Sequence, residues 1–117
     1  MDLESFRTYC LSKKGVEETL PFDEQTLVFK VAGKMFALCN LEDFRGASLK
    51  CDPVRALELR ADYEEIEGAY HMNKKHWNSV KAVGRVPDVL FMELIDHSYD
   101  LVVKGLTKKQ RDLLLSM

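Results

Sequence analysis

Between Gly68 and Pro87 the chain runs for twenty residues without an aspartate or glutamate, although it carries 19 acidic residues in all and a formal net charge of −2. That local absence leaves Lys74, Lys75, Lys81 and Arg85 without acidic neighbours in sequence. The acidic total and a pI of about 5.9 nevertheless argue against the overall basic field of a dedicated nucleic-acid binder. Cysteine is scarce as well. Cys10, Cys39 and Cys51 are odd in number, far apart and without a CxxC pair, which excludes a disulfide framework or zinc ribbon and points to free, buried thiols in a reducing compartment. No apolar run approaches the roughly 18 residues that span a bilayer, and MDLESF places acids where a secretory signal needs basic residues. A soluble, cytoplasmic protein with no membrane partner is expected. The phosphate-binding P-loop, the dinucleotide glycine pattern, the G-x-S-x-G elbow and an evident acid/base carboxylate pair are all missing, so neither a cofactor nor a catalytic residue is expected.

What is present is globular: 117 residues, 46% apolar and 31% charged, suit one domain over residues 1–117. Leu3, Phe6 and Cys10 share a helical face, with Gly15 placed to stop that helix. The period then changes. Leu27, Phe29 and Val31 alternate with polar or smaller neighbours, and Gly33 marks a tight turn into KMFALCNL, so a hairpin is expected, followed by a third strand with Ala47, Leu49 and Cys51 on one face. Asp52 and Pro53 form a helix start, because the carboxylate accepts from orphan first-turn amides and proline lacks only a donor that would be unpaired anyway. Alternation resumes over Ile66–Met72 and Trp77–Ala82, with MNKKH as the bend between two further strands. Pro87 opens the longest helical pattern, which Gly105 ends, and Thr107 with Gln110 makes a capping box for a short last helix. The expected fold is α+β: two layers, a five-stranded antiparallel sheet flanked by helices, in the order α-β-β-β-α-β-β-α-α. Leu27, Phe29, Leu49, Leu57, Phe91 and Ile95 are the expected core.

The stretches YCLSKKGVEETLPF, VFKVAGKMFAL, SLKCDP, YHMNKKHWNSV and ELIDHSYDLVVKGL, in that order from Tyr9 to Leu106, resemble the MmcQ/YjbR family of small bacterial proteins. HMNKKHW and IDHSYDLV are the most specific parts. The resemblance implies a two-layer fold of the type found in secretion chaperones and likened to the frataxin-like CyaY fold. Family members are commonly labelled DNA-binding, and no catalytic residue set comes with the family.

The segment YHMNKKHWNSV carries the sharpest chemistry. His71 and His76 stand five apart, a spacing that suits neither adjacent helical turns nor a common zinc finger, so no metal site is expected. A nucleophilic thiol would need Cys51 beside His71 or Cys39 beside His76, which spacing alone does not supply. Asp96 and His97 are helix neighbours that point to different faces. For nucleic acid the residue types do fit. Lysines neutralise phosphates, asparagines donate to phosphate or base edges, and a tryptophan stacks on an unpaired base. The expected edge comprises His71, Asn73, Lys74, Lys75, His76, Trp77, Lys81 and Arg85, forming a wing for weak, largely non-specific DNA binding. Against it stands the plain reading of a solvated turn with a core tryptophan. The alternative partner is a protein, met in a chaperone-like or regulatory contact through apolar residues beyond one stripe of VLFMELI, such as Leu90 or Met92.

Overall fold

A computed structural model of the protein describes residues 1–69 and 72–117. The first helix, α1 (Leu3–Leu11), is started by Asp2, whose carboxylate accepts from the Ser5 amide at 2.8 Å. It ends earlier than Gly15; that glycine, at φ +73°, instead turns the chain into a strand, β1 (Val16–Thr19). Next come β2 (Thr26–Val31) and β3 (Lys34–Asn40), a two-residue hairpin whose turn holds Ala32 and Gly33 at φ 50° and 77°. After β4 (Gly46–Lys50), helix α2 (Pro53–Asp62) is capped by Asp52 as expected. Strands β5 (Ile66–Gly68) and β6 (Trp77–Lys81) precede the long α3 (Asp88–Lys104), and α4 (Lys108–Leu115) carries the Thr107–Gln110 capping box.

The α+β class and the antiparallel sheet hold, but the sheet has six strands in the order β1-β2-β3-β4-β6-β5, not five. The strand that the periodicity did not reveal is β1. Its Glu17 and Glu18 belong to a residue type depleted in strands, and four residues show no alternation to read. Tertiary contacts supply what propensity withholds: Glu18 is ion-paired with Arg7 of α1, and Val16 packs on the core. Short, acidic β1 also blunts one edge of the sheet against edge-to-edge association.

The helices lie on one face. Phe6 of α1, Phe29 and Phe36 of the hairpin and Phe91 of α3 interlock there, with Phe6 edge-on to Phe29 at 5.5 Å and to Phe91 at 6.0 Å. Leu27, Leu49 and Ile95 join this core, whereas Leu57 does not: it is 64% exposed, because α2 turns Ala56 and Leu59 inward instead. The choice depends on how the helix is rotated about its axis by packing, which an apolar count cannot decide.

Helix α3 uses four side chains of IDHSYDLV to fasten other elements. Asp96 accepts from the Tyr9 hydroxyl at 2.6 Å and pairs with Lys13, fastening α1. His97 Nε2 accepts from the Asp52 amide at 3.1 Å, at the start of α2. Ser98, fully buried, donates to the Phe36 carbonyl at 2.5 Å and accepts from the Lys50 amide at 2.9 Å, joining β3 to β4. Tyr99 donates to the Lys14 carbonyl at 2.6 Å. Four consecutive side chains thus tie four different places to one helix.

Candidate functional site

Among the described residues no helix covers the opposite face of the sheet, yet Val28 of β2 is fully buried and Leu38 of β3 is 9% exposed. Strand alternation puts both on this side, along with Trp77 and Ser79 of β6. The cover is made by side chains at and beside the β5–β6 connection: Trp77 and Ala69 form a second small cluster with Val28 and Leu38, and Met35 and Met72 pack against it. Residues 72–76 act as a strap at this face.

The strap is held from behind by α2. Arg60 Nε donates to Asn78 Oδ1 at 2.7 Å, while its Nη2 donates to the carbonyls of Lys74 and, at 3.4 Å, Trp77. Asn73 closes the turn, its side-chain oxygen accepting from the Lys75 amide at 3.0 Å and its carbonyl from the His76 amide at 3.1 Å. The His76 carbonyl accepts from the Cys51 amide at 2.8 Å, extending the β4–β6 register. Arg60 lies 14 to 18 residues from its partners, so no local pattern marks it.

Of the residues expected at the nucleic-acid edge, His71 lies outside the described residues. Asn73, Lys74, Lys75 and Lys81 are exposed, and His76 is half-buried. Lys74 lays its aliphatic stem over Gly68, where a Cβ would stand 3.1 Å from the Lys74 Cγ. Trp77 is only 9% exposed and buried in the second cluster, so it offers no free face on which a base would stack. Asn78, next to Trp77, is 1% exposed and spends its amide on Ala56 and Arg60. Arg85 is exposed but faces Glu65: its amide donates to Glu65 Oε2 at 2.8 Å and its guanidinium stands 4.0 Å from the other oxygen. The Arg85 amide, with the charges of Arg85 and Lys81 behind it, holds the Glu65 carboxyl below the ordinary carboxylate range. The cations are therefore not one ridge: Lys74 and Lys75 stand at the strap, while Lys81 stands at the other end of the β5–β6 ladder and Arg85, with Glu65, beyond it. The acid-free run in sequence is not acid-free in space.

Beside the strap a cavity of about 370 Å³ opens on the same face, between β3, β4 and β6. Leu38 and Met72 line it, Ser48 and Ser79 meet within it at 3.4 Å, and Arg45 and Lys81 border it. No pattern in the sequence singled out Arg45, Ser48 or Asn40.

The chemistry available elsewhere is modest. Burial pushes the Cys39 thiol up to about 11 and raises Cys10 and Cys51 as well, the reverse of what a nucleophilic thiolate requires. Among the described residues no three His, Cys, Asp or Glu side chains stand close enough together to hold a metal, and no helix is long and apolar enough to cross a membrane. Leu90 is half-buried against the main core and Met92 is half-buried too; the exposed apolar residue on that helix is Val89.

Known proteins match this chain along nearly its whole length. It is 38% identical over 111 residues to a protein of Escherichia coli O157:H7 called uncharacterized protein YbdF, covering 92% of this chain and 89% of that one. It is 31% identical over 118 residues to uncharacterized protein YjbR of Escherichia coli K12, covering both chains completely. Among solved structures, the Deinococcus radiodurans protein DR2400, described as a DUF419 domain, superposes with a TM-score of 0.88 at 43% identity over 96% of this chain and 86% of that one. A Pseudomonas syringae protein superposes with a TM-score of 0.74 at 27% identity, over 86% and 98%. The family model described as YjbR matches residues 11–101, which include the strap and the cavity beside it, and the chain belongs to the YjbR family.

Proposed function

We propose that the chain works by binding rather than by catalysis, and that it binds DNA weakly and with little sequence preference through Lys74, Lys75 and Lys81. The observation that carries this reading is the strap itself. Arg60 and Asn73 fix its backbone, so that two adjacent lysines are presented on an exposed turn at low ordering cost. Lysine contacts to phosphate position a protein without reading bases, which accounts for the low expected specificity. Asn73 and His76 flank the lysines, whereas Trp77 and Arg85 are left out because the first is buried and the second is engaged by Glu65. The raised thiols support a non-enzymatic reading, and three unpaired, buried cysteines support a cytoplasmic location.

A second reading has its own observation. Val54 and Leu57 on α2 and Val89 at the start of α3 are 67%, 64% and 78% exposed, and the Arg55–Glu93 ion pair at 2.6 Å ties the two helices together. Such apolar exposure suits a chaperone-like or regulatory contact with a protein, the kind of role that the family resemblance to a secretion-chaperone-like fold implies. Salt separates the two. With three cations on phosphates, log affinity for duplex DNA falls with log salt at a slope of roughly −2.7, and the Lys74→Glu, Lys75→Glu variant loses binding while staying folded. Absence of salt-dependent binding at low ionic strength, or an unimpaired variant, removes the DNA reading in favour of the protein contact.

A further inference from the structure

Strands β3 and β4 pair at only two positions, Ala37 with Leu49 and Leu38 with Ser48, and then part at both ends. Backbone groups alternate in direction along a strand. Phe36 and Lys50 therefore face each other beyond one end of this short ladder, and Asn40 and Gly46 beyond the other. The first gap is filled by the protein: the Ser98 hydroxyl bridges the Phe36 carbonyl and the Lys50 amide. At the second gap no ladder pair forms, and there the 370 Å³ cavity opens. Gly46 is required at this place for another reason, since a Cβ would stand 2.0 Å from the Val80 carbonyl oxygen on β6.

The unbridged gap has a definite chemistry. The facing main chains of Asn40 and Gly46 present amide donors and carbonyl acceptors side by side. The Asn40 side-chain oxygen is spent on the amides of Glu42 and Asp43, so its NH₂ group is the part of the side chain left to act as a further donor. Leu38 and Met72 supply apolar surface, and Lys81 supplies positive charge; Arg45 adds less, being paired with Asp43 at 2.9 Å. A flat ring with donors and acceptors along one edge, apolar faces and a nearby negative charge satisfies all of these together. The volume is at the small end of the roughly 300–1,000 Å³ of ligand sites, enough for one such unit.

We propose that this cavity takes one unpaired nucleotide, its base edge on the Asn40 and Gly46 main chains, its ring against Leu38 and Met72, and its phosphate toward Lys81. The inference rests on the DNA reading and sharpens it: the preferred ligand is single-stranded, and the base is held by the β3–β4 gap rather than by Trp77. A peptide side chain inserted into the cavity is the competing occupant, and it would show neither phosphate dependence nor strand preference.

Two measurements test this. In amide-resolved NMR, a nucleoside monophosphate is expected to shift the Asn40 and Gly46 amides in a saturable way, whereas ribose 5-phosphate, which lacks the base, leaves them in place. In anisotropy titrations the protein is expected to bind a labelled single strand about tenfold more tightly than the matching duplex, the return of one or two hydrogen bonds to the base edge. Ser48→Phe, which fills the cavity from the sheet side, is expected to abolish that preference while leaving duplex affinity and its salt slope unchanged. Still Asn40 and Gly46 amides at saturating nucleotide overturn the proposal, as does a folded Ser48→Phe protein that keeps its preference. If neither duplex nor single strand binds but the nucleotide shifts both amides, the DNA reading fails and the cavity stands as a site for a free nucleotide. Should Ser48→Phe fail to fold, the NMR arm alone decides.

Discussion

On the helix side of the sheet, four phenylalanines are enclosed by α1 and a 17-residue α3 whose Asp96, His97, Ser98 and Tyr99 lock neighbouring elements by hydrogen bonds. On the other side, Val28 and Leu38 are enclosed by Trp77, Ala69, two methionines and a strap whose backbone depends on Arg60. Both sides bury apolar side chains, but only the helix side is fastened by several separate side-chain hydrogen bonds. Loops and covers with few buried contacts open locally at low free energy, and ligand contacts are drawn from such places. The same contrast recurs within one strand pair: the β3–β4 ladder is stitched by Ser98 at one end and left open at the other, where the cavity lies.

The comparison breaks most visibly if the two sides respond alike to truncation. Phe29→Ala, on the helix side, is expected to cost about 3–5 kcal/mol, since rigid neighbours cannot collapse into the cavity. Trp77→Ala is expected at the low end, about 3 kcal/mol, because the strap can settle into part of the space. Urea unfolding reads both; a Trp77→Ala protein with wild-type stability would mean the second cluster is not a core. Ser98→Ala is next, at about 1–3 kcal/mol, as it strands the buried Phe36 carbonyl and the partly buried Lys50 amide together. Its signature is faster hydrogen exchange at Lys50 with little change in the strap.

On the helix side a pH effect comes from His97. Burial, and then the Arg55 charge, lower the His97 pKa below its ordinary 6.5, against the weaker pull of Asp52, Asp100 and Glu93. The folded state therefore favours neutral His97, whose Nε2 accepts from the Asp52 amide. The unfolded chain takes up the proton first as pH falls. This contribution is full above about 6.5 and is lost as pH drops from there through the folded value. Urea midpoints between pH 7.5 and 5 should fall for wild type and stay flatter for His97→Gln, which accepts the same bond without titrating. The smallest effect expected is at Leu57: exposed on α2, its alanine variant should lie within about 0.5 kcal/mol of wild type, and a core-sized loss would restore it to the interior.

Elements with a strong local cause were legible in the chain. Asp52–Pro53, Thr107–Gln110 and the turn at Gly33 act through neighbours a few residues away, and the alternation in β2 placed Leu27 and Phe29 correctly. Where the cause was long-range, reading failed in specific ways. Strand β1 exists because Arg7 and the core receive it, Leu57 is outside because packing sets the rotation of α2, and Arg85 meets Glu65 from 20 residues away.

The sequence by itself determined the α+β class, the helix starts, the family likeness and the lysine pair on a turn, because periodicity, caps and composition are local properties of a chain. Only the tertiary structure decided that Trp77 is a core residue beneath a strap, that an acid-free stretch has an acid facing it, and that β3 and β4 part to leave a cavity. Those outcomes depend on which distant groups compete for the same space and the same hydrogen bonds, and that competition is settled only when the chain is folded.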